Sequence, residues 1–335
     1  MFSRPATSSE TGEGAAMTRG ATGAFHPLSV TREKGNPMRA CEWGLLVGLS
    51  MLWGSAFFFT AIAIHELPTF LIVFLRVALA AALLWLALSM MGLRLPREAE
   101  AWRSFFVLGL LTNVLPFCLV AWGQLRVASF VASILNAAAP FATLLLGHFW
   151  TGEERLSAHK VLGLVVGTTG IVVLLSGGWH VGVSLADALA YLACLGAAIC
   201  YALAAVVGRF RRFGEPPIVR AAGQLVAASV LLLPAVVISD NLFGLRLPSW
   251  SVVGSVLALA VLSTALAYIV YFKLLRTAGA TNLLLVTFLI PISAMFFGIV
   301  LLGDSIGARE TCGLILVGVG LLAIDGRVFC FLVGK

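Results

Sequence analysis

Charge is scarce in this chain, and acidic charge scarcer still. Of 335 residues only 11% are charged while 60% are hydrophobic; an ordinary soluble domain carries roughly 25% charged residues. That little polar surface cannot cover that much apolar surface in water, which excludes a soluble globular protein. Cysteines are few and unpatterned: Cys41, Cys118, Cys194, Cys200, Cys312 and Cys330 show no CxxC or metal-ligand spacing. They read as small apolar packing residues rather than as ligands. No Asp or Glu lies in the middle of an apolar run; Glu42, Glu154, Asp187, Asp304 and Asp325 all stand at run ends. A buried titrating carboxylate of the kind that couples transport to protons is therefore not on offer. An intramembrane enzyme would need a nucleophile–base pair, paired carboxylates or metal ligands, and no such grouping occurs inside the runs. P-loop motifs are also missing, which argues against direct use of ATP. No cofactor and no metal site are expected.

Long apolar runs are what the chain does have. Ten are read, at 43–64, 69–90, 104–123, 127–149, 159–176, 185–207, 218–239, 250–272, 279–302 and 310–326. About 20 residues at 1.5 Å each cross a hydrocarbon core of ~30 Å, so the expected fold is an all-α integral membrane protein of ten spans, with lipid as its solvent. The first 37 residues contain no apolar stretch ahead of Trp43 to serve as a signal peptide. They are expected to form a disordered cytoplasmic tail, or to precede a true start at Met17 or Met38.

A net charge of +7 would suit nucleic acid, but its distribution follows the spans. With the N-terminus inside, 18 Lys and Arg collect on the inner side and only Arg126, Arg246 and Arg309 on the outer, with Arg76 left inside a run. That asymmetry orients a membrane protein. It puts both termini in the cytoplasm and makes nucleic acid an unneeded partner.

The chain also repeats itself. Pro140 and Gly147 match Pro291 and Gly298 at an offset of 151; Glu154, Gly163 and Gly170 match Asp304, Gly313 and Gly320 at 150. Trp53 and Pro68 face Tyr201 and Pro216 at 148, with Arg76 opposite Gln224. Two halves of five spans follow, and an odd number inverts the second copy, as in many secondary transporters. The expected units are a tail at 1–40, a first five-helix repeat at 41–177, a second, inverted one at 178–327 and a tail at 328–335.

The stretches "MLWGSAFFFTAIAIHELPTFLIVFLRVALA", "SILNAAAPF…GEERLSAHKVLG" and "LVTFLIPISAMFFGIVLLGD" resemble the EamA-type branch of the drug/metabolite transporter superfamily. The resemblance covers about 43–326. It implies a ten-helix exporter in a bacterial inner membrane, with spans 1–4 and 6–9 around a central cavity and spans 5 and 10 at the periphery. Amino acids are the substrate class it implies, with other small organic solutes or drugs as the alternative. A receptor or scaffold, which would not require duplicated polar positions, ranks below both.

Candidate cavity residues are the polar and amphipathic side chains inside the spans, since each needs a partner or water there. They are Trp53, Asn113, Asn136, Tyr201, Ser263, Tyr268 and Thr287. Asn136 and Thr287 stand one helical turn before Pro140 and Pro291, on the same face. The two prolines are either tolerated kinks or hinges that bare a backbone carbonyl to the cavity. Arg76 either snorkels to the outer interface or attracts an anion near the outer mouth. Gly163, Gly167 and Gly170 line one face of span 5 and mark a close helix contact, internal or between protomers, so that a monomer and a weak homodimer both stay open.

Overall fold

In a bilayer every backbone N–H and C=O must be satisfied within the protein, and helices do this one segment at a time. The computed structural model describes residues 38–152, 156–176, 184–210, 214–239 and 245–325, and among these residues it contains helices and no strand. The tail at 1–37 and residues 326–335 lie outside the described residues, as do Glu154, Arg155, Arg211, Arg212, Arg327, Cys330 and Lys335.

Ten helices longer than five residues run through the described residues. They are α1 (Ala40–Ala63), α2 (Thr69–Met90), α3 (Ala99–Gly123), α4 (Ser129–Trp150), α5 (Ala158–Leu175), α6 (Leu185–Arg209), α7 (Pro217–Ser239), α8 (Trp250–Thr277), α9 (Val286–Leu302) and α10 (Ala308–Asp325). Eight of them, α1 to α8, are long and apolar enough to cross a membrane. The other two differ from expectation for physical reasons. The run 279–302 is split by a turn at Leu284–Leu285 into a five-residue helix, Gly279–Leu283, and the shorter α9. Helix α10 carries Arg309, Glu310 and Asp325 within its 18 residues.

Helices pair in a pattern that survives exchanging each helix for the one five places away. α1 packs on α9 as α6 packs on α4; α1 on α8 as α6 on α3; α2 on α8 as α7 on α3. The pairs α2–α7, α4–α9 and α5–α10 map onto themselves. The α5–α10 contact is the closest, and glycine permits it. A Cβ on Gly163 would lie 2.6 Å from Gly320 O, and one on Gly170 2.9 Å from Gly313 O. The glycine face of α5 is thus used inside the protein rather than left for a second protomer. The outer faces of both helices show apolar side chains such as Val165, Val172 and Ile315.

Four helices depart from α geometry, again in matching places. A π-helical turn occupies Leu110–Val114 in α3 and Val261–Leu266 in α8; others close α4 (Gly147–Thr151) and α9 (Gly298–Leu302). The latter two end on Gly152 and Gly303, both left-handed at φ 65° and 73°, a conformation glycine adopts without steric cost. Near the middle of α4, Pro140 cannot donate to the Asn136 carbonyl. The backbone there tightens, with Ala137 and Ala138 N–H donating to Ile134 O and Leu135 O at 3.1 Å each. In α9, Thr287 and Phe288 N–H donate three residues back in the same way, to Leu284 O and Leu285 O.

At the end of the molecule where the odd-numbered helices finish, three polar links join the first five helices to the second five. Ser249, at the start of α8, donates to Glu66 through its amide at 2.6 Å and its hydroxyl at 2.7 Å. Arg126 pairs with Asp187 at 2.9 Å, both half-exposed. Ser129 Oγ donates to Asp304 Oδ2 at 3.3 Å. The Ser249 bonds hold the Glu66 carboxyl below its ordinary range, chiefly through the side-chain hydroxyl. Partial burial raises that of Asp304 despite the bond from Ser129.

Candidate functional site: a central cavity

Between the helices lies a cavity of about 520 Å³, within the size range of small-molecule sites. Its wall is drawn from both five-helix sets. Trp53 comes from α1, Arg76 from α2, Asn136 and Pro140 from α4; Tyr201 comes from α6, Ser263 and Tyr268 from α8, Thr287 and Pro291 from α9. Of the residues picked from the sequence, nine therefore share one space. No part of α5 or α10 lines it.

Asn113 is the exception. It is fully buried and stands behind the wall, where its Oδ1 accepts from Tyr268 Oη at 3.2 Å and its Nδ2 donates to Thr112 Oγ1 at 2.8 Å. Asn113 thus orients Tyr268 and does not face the cavity itself. The π-helical turn of α3 presents Thr112 and Asn113. The matching turn of α8 presents Ser263 and Thr264: Ser263 Oγ lies 3.3 Å from Ser55 Oγ, and Thr264 Oγ1 donates five residues back to Leu259 O.

Arg76 does not snorkel. Only 8% exposed, it lines the central cavity, and its Nε donates to Thr264 Oγ1 at 2.9 Å. Its guanidinium carbon lies 3.8 Å from the centroid of the Phe117 ring, a cation–π distance. Gln224, its counterpart in the repeat, lines the same cavity, with Oε1 3.4 Å from Thr112 Oγ1.

The aromatic wall is larger than Trp53 and Tyr201 alone. Trp53 and Tyr271 approach with ring centroids 5.7 Å apart, and Tyr268 stacks on Phe272 at 6.0 Å. Asn136 offers a different chemistry, since its Oδ1 is buried with no hydrogen-bond partner. Its backbone carbonyl is the one freed by Pro140.

Arg220, one of the 18 cations expected on the inner side, lines the cavity from the first turn of α7. A signal for this exists in the sequence: Pro217, the second of two prolines, fits the first position of a helix, where proline is favoured, so Arg220 three residues on falls within the first turn. Among the described residues, no Asp, Glu, His or Lys lines the cavity, and no cluster of three or more His, Cys, Asp or Glu is placed to hold a metal.

Set against known proteins, the chain matches the EamA-like transporter family twice, over residues 42–176 and 188–324. It belongs to that family. Relatives include the uncharacterized transporter YoaV of Bacillus subtilis, 24% identical over 82% of this chain and 94% of its own length. Another is the uncharacterized inner membrane transporter YedA of Escherichia coli K12, 25% identical over 86% of this chain and 92% of its own. A solved crystal structure shares the fold at TM-score 0.63, covering 89% of this chain and all of the other at 19% identity. This EamA-like protein is a multi-pass membrane transporter and not an enzyme.

Proposed function

We propose that this transporter exports small metabolites, amino acids foremost, across a bacterial inner membrane by alternating access around the central cavity. The observation that carries the reading is the origin of the wall. Asn136 with Pro140 and Thr287 with Pro291 come from equivalent places in two five-helix sets and line one cavity. A site shared in this way can face either side as one set rocks against the other. The exchange pattern of helix pairs and the matched π-helical turns support two inverted repeats, 41–177 and 178–327. They also support ten spans, with α9 and α10 crossing despite their length and charge. Both termini then lie in the cytoplasm, on the side richer in Lys and Arg. The monomer is sufficient for this cavity, and nucleic acid has no part in it.

Reconstitution into liposomes tests the proposal. Amino acids, organic cations and sugars are offered with and without a pH gradient. Saturable movement of amino acids that Trp53→Ala and Asn136→Ala both reduce at least about tenfold, the size of one lost polar or aromatic contact, is the expected result. Flux equal to wild type in both variants, with normal insertion, sinks the cavity assignment. Movement of cations or sugars alone would make the alternative, a carrier of other organic solutes or drugs, the better description.

A further inference from the structure

Charge inside the cavity does not balance. Arg76 and Arg220 both line it and, among the described residues, no acid does. The two are not equivalent. Arg220 is half-buried near the cavity's α7 end, and Glu215, just ahead of that helix, is close enough to act on it electrostatically. Arg76 lies in the middle of α2, and the ionisable groups that act on it are the phenols of Tyr201 and Tyr268. A guanidinium stays charged at any ordinary pH, and an ion taken out of water without an opposite charge is strongly disfavoured. The Thr264 hydroxyl and the Phe117 ring each take one side of this cation, and neither is an anion.

Those two contacts do define a geometry. Nε is occupied and the ring face is fixed against Phe117, so the guanidinium plane is set before any ligand arrives. Among the described residues, no protein acceptor meets Nη1 or Nη2. A carboxylate fits such a fork with two parallel N–H···O bonds. Opposite in chemistry, the cavity offers an ammonium group only neutral side-chain acceptors, such as the Thr287 hydroxyl.

We propose that Arg76 receives the substrate's carboxylate, and that the transporter reads this group rather than the amino group. It therefore carries small organic acids with an apolar or aromatic body alongside the matching amino acids, and refuses the matching amines. The body lies along the wall formed by Trp53, Tyr271, Tyr268 and Phe272. An amine without a carboxylate leaves Arg76 unpaired and adds a third positive charge to the cavity, which repels it at short range. This deepens the reading above and rests on the same cavity.

Three compounds sharing one body separate the terms: phenylalanine, 3-phenylpropanoate and phenethylamine, with leucine, 4-methylpentanoate and isoamylamine as a second series. Binding is measured by calorimetry on the purified full-length protein in detergent, and transport by counterflow of labelled amino acid in liposomes. The amino acid and the acid of at least one series are expected to bind within about tenfold of each other, and the amine about a hundredfold more weakly, the upper size of a lost charge-assisted hydrogen bond. Arg76→Gln removes binding of both carboxylates, and Arg76→Lys restores part of it. Should these variants misfold, the wild-type series decides alone. Amines binding as well as acids, amino acids binding where acids do not, or no carboxylate binding in either series each overturns the inference. Carboxylate binding without counterflow leaves the assignment of Arg76 to the carboxylate standing and overturns the proposed amino-acid export instead.

Discussion

Asn113 shows at the smallest scale how a buried amide can matter to a cavity it does not touch. Its Oδ1 accepts from the Tyr268 hydroxyl, and Tyr268 lines the cavity. Asn113→Leu is expected to leave that hydroxyl without its partner and to weaken solute binding several-fold, while Tyr268→Phe loses the same hydrogen bond and should cost about as much. Calorimetry on the two single variants and the double variant checks this, since residues acting as one unit give a double variant no worse than either single one. Thr264 invites a sharper test. Thr264→Val removes the acceptor of Arg76 Nε and should lower affinity for carboxylate solutes by about tenfold, a lost hydrogen bond to a charged group. Thr264→Ser should restore most of it. Of the polar residues in the two π-helical turns, the sequence points to Asn113 and Ser263 as intruders in apolar runs. It gives no hint that one faces inward and the other stands behind a tyrosine, because π-helical and α-helical turns share a composition and differ by a rotation of the face.

Among the helices, the apolar runs locate nearly every element. Span 2 is read at 69–90, where α2 lies, since a bilayer-length hydrophobic run leaves little choice of structure. Errors concentrate where polarity and helix geometry part company. Helix α3 begins at Ala99 instead of 104 and α8 continues to Thr277 instead of 272, because charged residues such as Arg103, Lys273 and Arg276 extend a helix beyond the apolar part. The split of 279–302 goes unread for the opposite reason: Leu284 and Leu285 are as apolar as their neighbours, yet the backbone turns there. Two tests belong at this level. Replacing Gly320 with Val thrusts a side chain against Gly167 and the Gly163 carbonyl, and overpacking of this kind costs about 1–3 kcal/mol, seen as a lower Tm in detergent. At the start of α8, Glu66→Ala should speed amide exchange at Ser249 at neutral pH. The Glu66 carboxyl is held below its ordinary range by Ser249, so its contribution is present above the unfolded pKa and is lost as pH falls through the lower, folded one. Wild type and variant, each corrected for intrinsic exchange, should therefore converge in acid.

For the whole molecule, the halves of the chain are legible from Pro140, Pro291 and the glycines around them, and the packing of helices adds pairs that no spacing predicts, such as α1 with α9. Reporter fusions examine the ten-span arrangement: a fluorescent protein should light at both termini, and alkaline phosphatase fused after Asp304 should be active. The three links at one end carry a further consequence. Glu66–Ser249, Arg126–Asp187 and Ser129–Asp304 each tie one five-helix set to the other; the first two are solvent-exposed, and Arg126–Asp187 is an ion pair of the weak, salt-screened kind. Under the proposed alternating access, a carrier latched by several feeble bonds needs only a modest solute preference for the opposite state to open at that end. Raising ionic strength should therefore hasten the return of the empty carrier while leaving the hold of the buried Arg76 on its cargo nearly unchanged.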